Sequence, residues 1–257
     1  MENKSVHRLL YILLLITLSA CGQPTTENPP PTLQMVTVAY TPPLRPVRQA
    51  LHDCAVSLPE IALVVEETSF PYLLERTADL YLWMGEPPET TKFVYPIASE
   101  RVVAIVHPDN TVDRLETSAL RAIFTGQTQN WDEVGGLDHQ IEVWGYPDGD
   151  EIQKLIDQMV MNREAYSSWV WLAPDPEAMQ QAISENTPAI GFIPQAWLTD
   201  QLKVLQLSLE LQETLHQPIL LISKNEPHGG VRSLLFCLQN ETGQESLTEG
   251  YQILDDQ

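Results

Sequence analysis

Short apolar strands alternate with amphipathic helices along most of the chain, and this order constrains the fold more than any other feature. Residues 102–106 form a near-continuous apolar run, which is typical of a strand buried on both faces. Residues 148–161 carry apolar side chains three to four positions apart, the spacing of one helix face. Strands that alternate with helices predict an α/β fold with mostly parallel sheets.

The remaining elements follow from the same periodicities. Strands are predicted at 35–40, 61–65, 78–85, 189–193 and 219–222, and helices at 44–58, 72–76, 115–124 and 231–238. Gly126 suits a left-handed cap after the helix at 115–124. The segment 205–212 alternates leucine with polar residues, which indicates a half-buried extended segment.

The first 21 residues have the pattern of a bacterial lipoprotein leader. Lys4 and Arg8 precede an apolar run at 9–16, which is too short to cross about 30 Å of hydrocarbon. The leader ends in Leu-Ser-Ala-Cys, which resembles a lipobox, where the thiol of Cys21 receives a diacylglycerol. We expect a signal peptide at 1–20 and lipidation of Cys21. An ordinary signal peptide followed by a cysteine is the alternative.

Residues 21–33 are rich in proline and have no apolar period. Proline fixes φ and donates no N–H, so we expect an extended tether, of which the eleven residues 22–32 span about 35 Å. Together with a lipidated Cys21, the tether predicts a protein anchored to the cell membrane on its extracytoplasmic face, in the periplasm or at the cell surface.

The acidity of the chain excludes several partners. There are 14 Lys+Arg against 35 Asp+Glu, which gives a formal net charge of -21. Nucleic acids and anionic membrane surfaces are held by clustered basic residues, so we expect no nucleic-acid partner and membrane contact through the lipid anchor. A chain with 43% hydrophobic residues has enough apolar surface for a core, which argues against disorder.

Two further cysteines, Cys54 and Cys237, lie on separate apolar segments. An exported protein can oxidise them to a disulfide, but lone cysteines are also common as small buried residues. The sequence favours two separate buried cysteines and leaves their pairing open.

The motifs of common enzyme classes are missing from the sequence. It contains no Gly-x-Ser-x-Gly, no Walker loop and no His-Glu-x-x-His, and its six histidines are dispersed without metal-ligand spacing. We therefore expect no catalysis, no cofactor and no metal site.

Several landmarks resemble one protein family. Pro96-Ile97-Ala98 precedes the strand at 102–106, and the block Ile-Phe-Thr-Gly-Gln-Thr-Gln-Asn-Trp-Asp-Glu-Val-Gly-Gly occupies 123–136. Ala-Ile-Gly-Phe follows at 189–192. These segments, the long block above all, are similar to those of the phosphate-binding receptors of ABC importers. The resemblance extends over about residues 35–255.

The resemblance implies the two-lobe type II periplasmic-binding-protein fold, in which each lobe is a mostly parallel sheet flanked by helices. Lobe 1 would combine residues 34–98 with 217–257, and lobe 2 would be 99–216. Strands at 102–107 and 219–222 would cross the hinge. A receptor of this kind closes on a small ligand, phosphate or another solute, and presents it to an ABC permease.

The ligand loop of this family is typically Arg-x-x-Gly-Ser-Gly-Thr at a helix N-terminus, and the matching stretch here begins at Tyr146. Gly149 is retained, whereas Tyr146 replaces the arginine and Asp150 the serine. Asp148, Asp150 and Glu151 therefore surround the helix end. We expect these carboxylates to cap the helix themselves and to repel an anion.

Lobe 1 has its own candidates, because Thr41, Ser69 and Asp79 stand where the family has hydroxyls and a proton-accepting aspartate. The candidate ligand-binding residues are therefore Thr41, Ser69, Asp79, Tyr146, Asp148, Gly149 and Asp150. Four aromatic residues near strand ends form an alternative platform for a neutral or cationic organic ligand, although core or rim packing is the commoner role. They are Tyr81, Trp83, Trp144 and Tyr146.

Two functions are compatible with these patterns. The first is a lipid-anchored solute-binding receptor without catalysis. The second is a non-transport adaptor or sensory module that keeps the fold, lacks a phosphate site and binds another protein.

Overall fold

The computed structural model describes residues 33–89, 91–248 and 250–252. The predicted signal peptide, Cys21 and the tether as far as residue 32 lie outside the described residues. The structure therefore does not test the predicted lipid anchor.

Within the described ranges, nine strands form one sheet. They are β1 (Gln34–Tyr40), β2 (Ile61–Glu67), β3 (Leu80–Met84), β4 (Phe93–Val106), β5 (Glu142–Gly145), β6 (Trp171–Leu172), β7 (Ala189–Pro194), β8 (Lys203–Val204) and β9 (His216–Ser223). The order across the sheet is β2-β1-β3-β9-β4-β7-β5-β6, and β8 pairs with β4.

Helices flank this sheet. They are α1 (Arg48–Ser57), α2 (Thr117–Phe124), α3 (Glu151–Met159), α4 (Pro176–Glu185), α5 (Leu209–Thr214), α6 (Gly229–Gln239) and α7 (Glu241–Thr248). Short 3-10 helices cover Pro42–Val47, Phe70–Glu75, Trp131–Val134 and Gln195–Trp197. Over the part of the chain that the structure describes, no helix has the length and apolar composition needed to cross a membrane.

The long strand β4 joins the two halves of the molecule. As far as Arg101 it pairs antiparallel with β9, and from Val102 to Val106 it pairs antiparallel with β7. We define lobe 1 as β1, β2, β3, β9 and the first part of β4, with α1, α6 and α7. Lobe 2 comprises the rest of β4, strands β5 to β8 and helices α2 to α5. The chain passes between the lobes near Arg101 and His216, which are register partners.

Parallel and antiparallel pairing occupy different parts of the sheet. The outer pairs β1–β2, β1–β3, β5–β7 and β5–β6 are parallel. At the centre, β9 lies antiparallel to both β3 and β4, because the chain leaves lobe 1 along β4 and returns along β9. All residues of β3 and β7 are buried, as expected for strands covered on both faces.

Two predicted elements differ from the structure. The extended segment predicted at 205–212 is wrong in its second half, since α5 begins at Leu209 and the Ser208 side chain caps it by accepting from the Leu211 N–H. The helix predicted at 44–58 starts as the 3-10 helix Pro42–Val47, because its prolines cannot donate to an α-helical ladder.

A disulfide joins Cys54 of α1 to Cys237 of α6, with the two Cα atoms 5.7 Å apart. The expectation of two separate buried cysteines is therefore wrong. Helices α1 and α6 pack against each other in lobe 1, and this contact brings together residues that are 183 positions apart in sequence.

Candidate functional site

The amino end of α3 is capped by the side chain of the residue that precedes the helix. The Asp150 carboxylate accepts hydrogen bonds from the N–H groups of Ile152 (2.8 Å) and Gln153 (3.3 Å). The preceding Gly149 has φ +89°, a left-handed conformation that glycine adopts without strain. The prediction that a carboxylate caps this helix is thus confirmed, and the cap is Asp150.

The next residue, Glu151, reaches from lobe 2 into lobe 1. Its Oε1 atom accepts a hydrogen bond from the hydroxyl of Thr41, which follows β1. Thr41 is 0% exposed and Glu151 is 5% exposed. The second carboxyl oxygen, Oε2, is buried and has no hydrogen-bond partner among the described residues. Glu151 therefore fills the space between the helix end and the hydroxyl of Thr41.

Burial sets the protonation of this contact. The pKa of the Glu151 carboxyl is raised to about 8, mainly by burial; the hydrogen bond from Thr41 and the charge of Lys154 act in the opposite direction, while the charge of Asp150 adds to the rise. Burial also raises the pKa of Asp150, against the effect of its two N–H donors. At neutral pH, Glu151 is therefore mostly a neutral acid that bridges the lobes.

A second bridge between the lobes surrounds Arg45. Its guanidinium binds Glu67 of lobe 1 (Nε to Oε2, 2.7 Å) and Glu177 of lobe 2 (Nη1 to Oε2, 3.0 Å). It also lies 5.3 Å from the ring centroid of Trp197, whose indole N–H donates to the Pro43 carbonyl at 2.9 Å. These contacts join the two lobes at a second place, in addition to the Thr41–Glu151 pair.

A cleft of about 380 Å³ lies beside the Thr41–Glu151 pair, since Glu151 lines it, and its other lining residues come from both lobes. Lobe 1 supplies Phe70 and Trp83, whose ring centroids are 4.8 Å apart, together with Glu86. Lobe 2 supplies Glu151 and Lys154. The Nζ atom of Lys154 lies 4.6 Å from the centroid of the Phe70 ring. The cleft thus combines an aromatic wall with acidic side chains, one lysine and the amides of Gln158 and Gln217.

The structure brings some of the predicted ligand residues together. Thr41 is hydrogen-bonded to Glu151, and Asp150 is the residue before Glu151. Gly149 lies close to Pro71 of lobe 1, since a Cβ atom added to Gly149 would be 3.3 Å from the Cγ atom of Pro71. Ser69, at the start of the same 3-10 turn as Pro71, is exposed. Asp148 is exposed on the loop before α3.

Two predicted ligand residues lie elsewhere. Asp79 is at the amino end of β3, where its carboxylate accepts the Thr37 N–H at 2.8 Å. Thr41 is four residues further along β1, about 13 Å away at 3.3 Å per residue, so Asp79 does not join it. Tyr146 is buried in lobe 2, and its hydroxyl donates to the Phe192 carbonyl at 2.9 Å. Neither residue is among those that line the cleft.

The aromatic platform is also smaller than predicted. Trp83 lines the cleft, but the Tyr81 hydroxyl donates to the Arg76 carbonyl at 2.8 Å and Trp144 stacks on Trp171 in lobe 2. Phe70 completes the platform and was not among the predicted residues. Its position next to Pro71 in a short 3-10 helix gives no strong sequence signal.

Comparison with known proteins identifies the class. Residues 89–223, just over half of the chain, match the family model of the PBP superfamily domain. The chain therefore belongs to the PBP superfamily.

More specific likenesses are to phosphate receptors. The chain is 27% identical over 116 residues to the phosphate-binding protein PstS of Bacillus subtilis, a match that covers 45% of this chain and only 38% of that protein. A structure from Clostridium perfringens, assigned as a phosphate ABC transporter substrate-binding protein and holding bound phosphate, superimposes with a TM-score of 0.78 at 17% identity. The superposition covers 86% of this chain and 100% of the Clostridium perfringens chain.

Two more solved structures share the fold. An ABC-type phosphate transport receptor from Vibrio cholerae gives a TM-score of 0.69 at 19% identity, over 85% of this chain and all of that one. The regulatory domain of CcmR from Synechocystis, in complex with 2-PG, gives a TM-score of 0.60 at 16% identity. The match covers 80% of this chain and 96% of that one. The predicted two-lobe α/β fold and the family resemblance are therefore confirmed.

Proposed function

We propose that the protein is a lipid-anchored, extracytoplasmic binding protein that holds a small solute between its lobes and presents it to an ABC permease without catalysis. One observation carries the proposal, namely that residues of both lobes enclose a cleft beside the Thr41–Glu151 contact. The family of the chain and the phosphate receptors that it resembles support a receptor role.

The contacts at α3 favour a solute other than inorganic phosphate. Asp150 occupies the N–H groups of Ile152 and Gln153, and Glu151 occupies the hydroxyl of Thr41. A carboxylate about 4 Å from an anion costs about 1 to 4 kcal/mol for each pair of unit charges. Tyr146 lies in the core, so its position supplies no compensating positive charge. Phosphate would have to displace these contacts and, at the Asp150 carboxylate, overcome this repulsion.

The disulfide in lobe 1 supports an extracytoplasmic location, because disulfides persist in oxidising compartments. We expect the protein expressed in bacteria to sediment with membranes, and residues 22–257 exported behind the cleavable signal peptide of a soluble protein to appear in the soluble fraction, since several acyl chains anchor a protein firmly. Immunoblots of the two fractions measure this shift. The tether variant Thr25→Ala should stay with the membrane, and a wild-type protein found in the soluble fraction would refute the anchor.

A second candidate function is an adaptor or sensory module. Regulatory domains such as that of CcmR have the same fold, so the fold does not require transport. Solute uptake by cells that lack the protein distinguishes the candidates. The receptor proposal expects uptake of one solute to fall and to return with the wild-type gene, whereas unchanged uptake across solute classes favours the adaptor.

Solute binding itself is tested by the melting temperature of the full-length chain in detergent against solutes of different charge. Because a ligand that binds only the folded state stabilises it, at least one solute should raise the melting temperature. The absence of any shift would contradict the receptor proposal.

A further inference from the structure

The cleft beside Glu151 has a lining that favours one class of solute. We propose that it binds a small organic molecule with a primary ammonium group, and that Glu151 is the acceptor for this group. The inference rests on the proposed function, because it names the solute class of the same cleft.

Glu151 is a hydrogen-bond acceptor with unused capacity. Its Oε1 atom is bonded to Thr41, while Oε2 is buried and finds no partner within the described part of the chain. A buried polar atom without a partner costs about 1 to 3 kcal/mol. Once Oε2 has released its proton, an N–H donor from a ligand removes this cost, and a charged donor forms the stronger type of hydrogen bond. Since Oε2 is sealed between the lobes, a ligand reaches it when the lobes part and is enclosed when they close.

The aromatic wall of the cleft already accommodates an ammonium group. Phe70 and Trp83 form this wall, and Lys154 places its Nζ 4.6 Å from the centroid of the Phe70 ring. Cations are attracted to the faces of aromatic rings by the ring quadrupole. A ligand ammonium therefore fits the same environment, where it competes with the side chain of Lys154.

The charges of the lining favour a cation. Glu86, Glu89 and Glu151 line the cleft, and Lys154 is the one basic lining residue within the described ranges. The lining thus stays acidic even when Glu151 carries a proton. The volume of about 380 Å³ restricts the ligand to a small molecule.

Binding of an ammonium group also moves a proton. The titratable groups that act on Glu151 are Asp150, which caps α3, and Lys154 on α3, while Thr41 of lobe 1 is a neutral donor. The charge of Glu151 in turn helps to raise the pKa of Tyr251. Burial raises the pKa of Glu151 to about 8, so the carboxyl is mostly protonated at pH 7. An ammonium at Oε2 stabilises the carboxylate, and the proton leaves to solvent.

Titration calorimetry of the full-length chain in detergent at pH 7, with putrescine as the probe, tests the inference. We expect putrescine to bind, Glu151→Gln to weaken binding at least about tenfold, and Lys154→Met to strengthen it several-fold by removing the internal competitor. The control Glu185→Gln, on the exposed end of α4, should leave the affinity unchanged. The binding enthalpy should vary with the ionisation enthalpy of the buffer, because a proton is released.

The opposite effects of the two α3 variants separate a cation site from an anion site. For an anion, Lys154→Met weakens binding and Glu151→Gln does not. The inference is overturned if putrescine fails to bind at millimolar concentration, or if Glu151→Gln binds it as well as wild type. If acetate or an uncharged solute binds and amines do not, the ammonium proposal is wrong but the receptor function stands. If no solute class binds, both are wrong.

Discussion

Replacement of both Cys54 and Cys237 by alanine should lower the free energy of unfolding by about 2 to 5 kcal/mol. The disulfide closes a loop of 183 residues, and its loss increases the entropy of the unfolded chain. For a domain of this size we expect the melting temperature to fall by about 5 to 15 °C. Scanning calorimetry of the wild-type and double-variant proteins measures the change.

Reduction provides the matched control for this prediction. A reductant should lower the melting temperature of the wild-type protein toward that of the double variant, and should leave the double variant unchanged. If wild type and double variant melt together, or if the native wild-type protein contains free thiols at Cys54 and Cys237, the disulfide does not form.

Stability should decrease as the pH rises from about 5 to about 8. Burial raises the pKa of Glu151 and of Glu100 to about 8 in the folded protein, from an ordinary value of 4.5. Between these values the folded state holds protons that the unfolded state has released. The stabilisation is therefore complete below pH 4.5 and is lost as the pH approaches 8, at about 1.4 kcal/mol per pH unit for each group.

The variant Glu151→Gln isolates one of these groups, since glutamine keeps the shape and does not titrate. Urea unfolding at several pH values measures the free energy of unfolding. We expect this free energy to depend less on pH in Glu151→Gln than in wild type, so the difference between the two proteins changes steadily from pH 5 to 8. Parallel profiles would show that Glu151 is not a buried acid. Arg45 lowers the pKa of Glu67, so the titration of Glu67 changes the stability only at pH values below this window.

The sequence predicts those parts of the fold that depend on local periodicity. The apolar runs at β4, β7 and β9 and the apolar stripe of α3 are strong local signals, and the block at 123–136 identifies the family. The sequence prediction lacks helix α4, although Asp175 caps it and Pro176 opens it, because small alanines make up part of its apolar face. Local signals of this kind predict elements but not their partners.

Contacts between residues that are far apart in sequence are not predicted by local patterns. The Cys54–Cys237 bond depends on the packing of α1 on α6, which no local pattern specifies. The bond from the Thr37 N–H to Asp79 depends on the pairing of β1 with β3, which no local pattern specifies. Glu151 was recognised as a departure from the family loop, but its contact with Thr41 requires the two lobes to be in place.

Calorimetric titration of the full-length chain with inorganic phosphate at pH 7 tests the central claim most directly, namely that Glu151 and Asp150 occupy the groups a phosphate would need. The Clostridium perfringens protein, whose structure holds phosphate, serves as the positive control in the same buffer. We expect no heat of binding for this chain up to about millimolar phosphate. Micromolar binding that is lost in Thr41→Val would contradict the account.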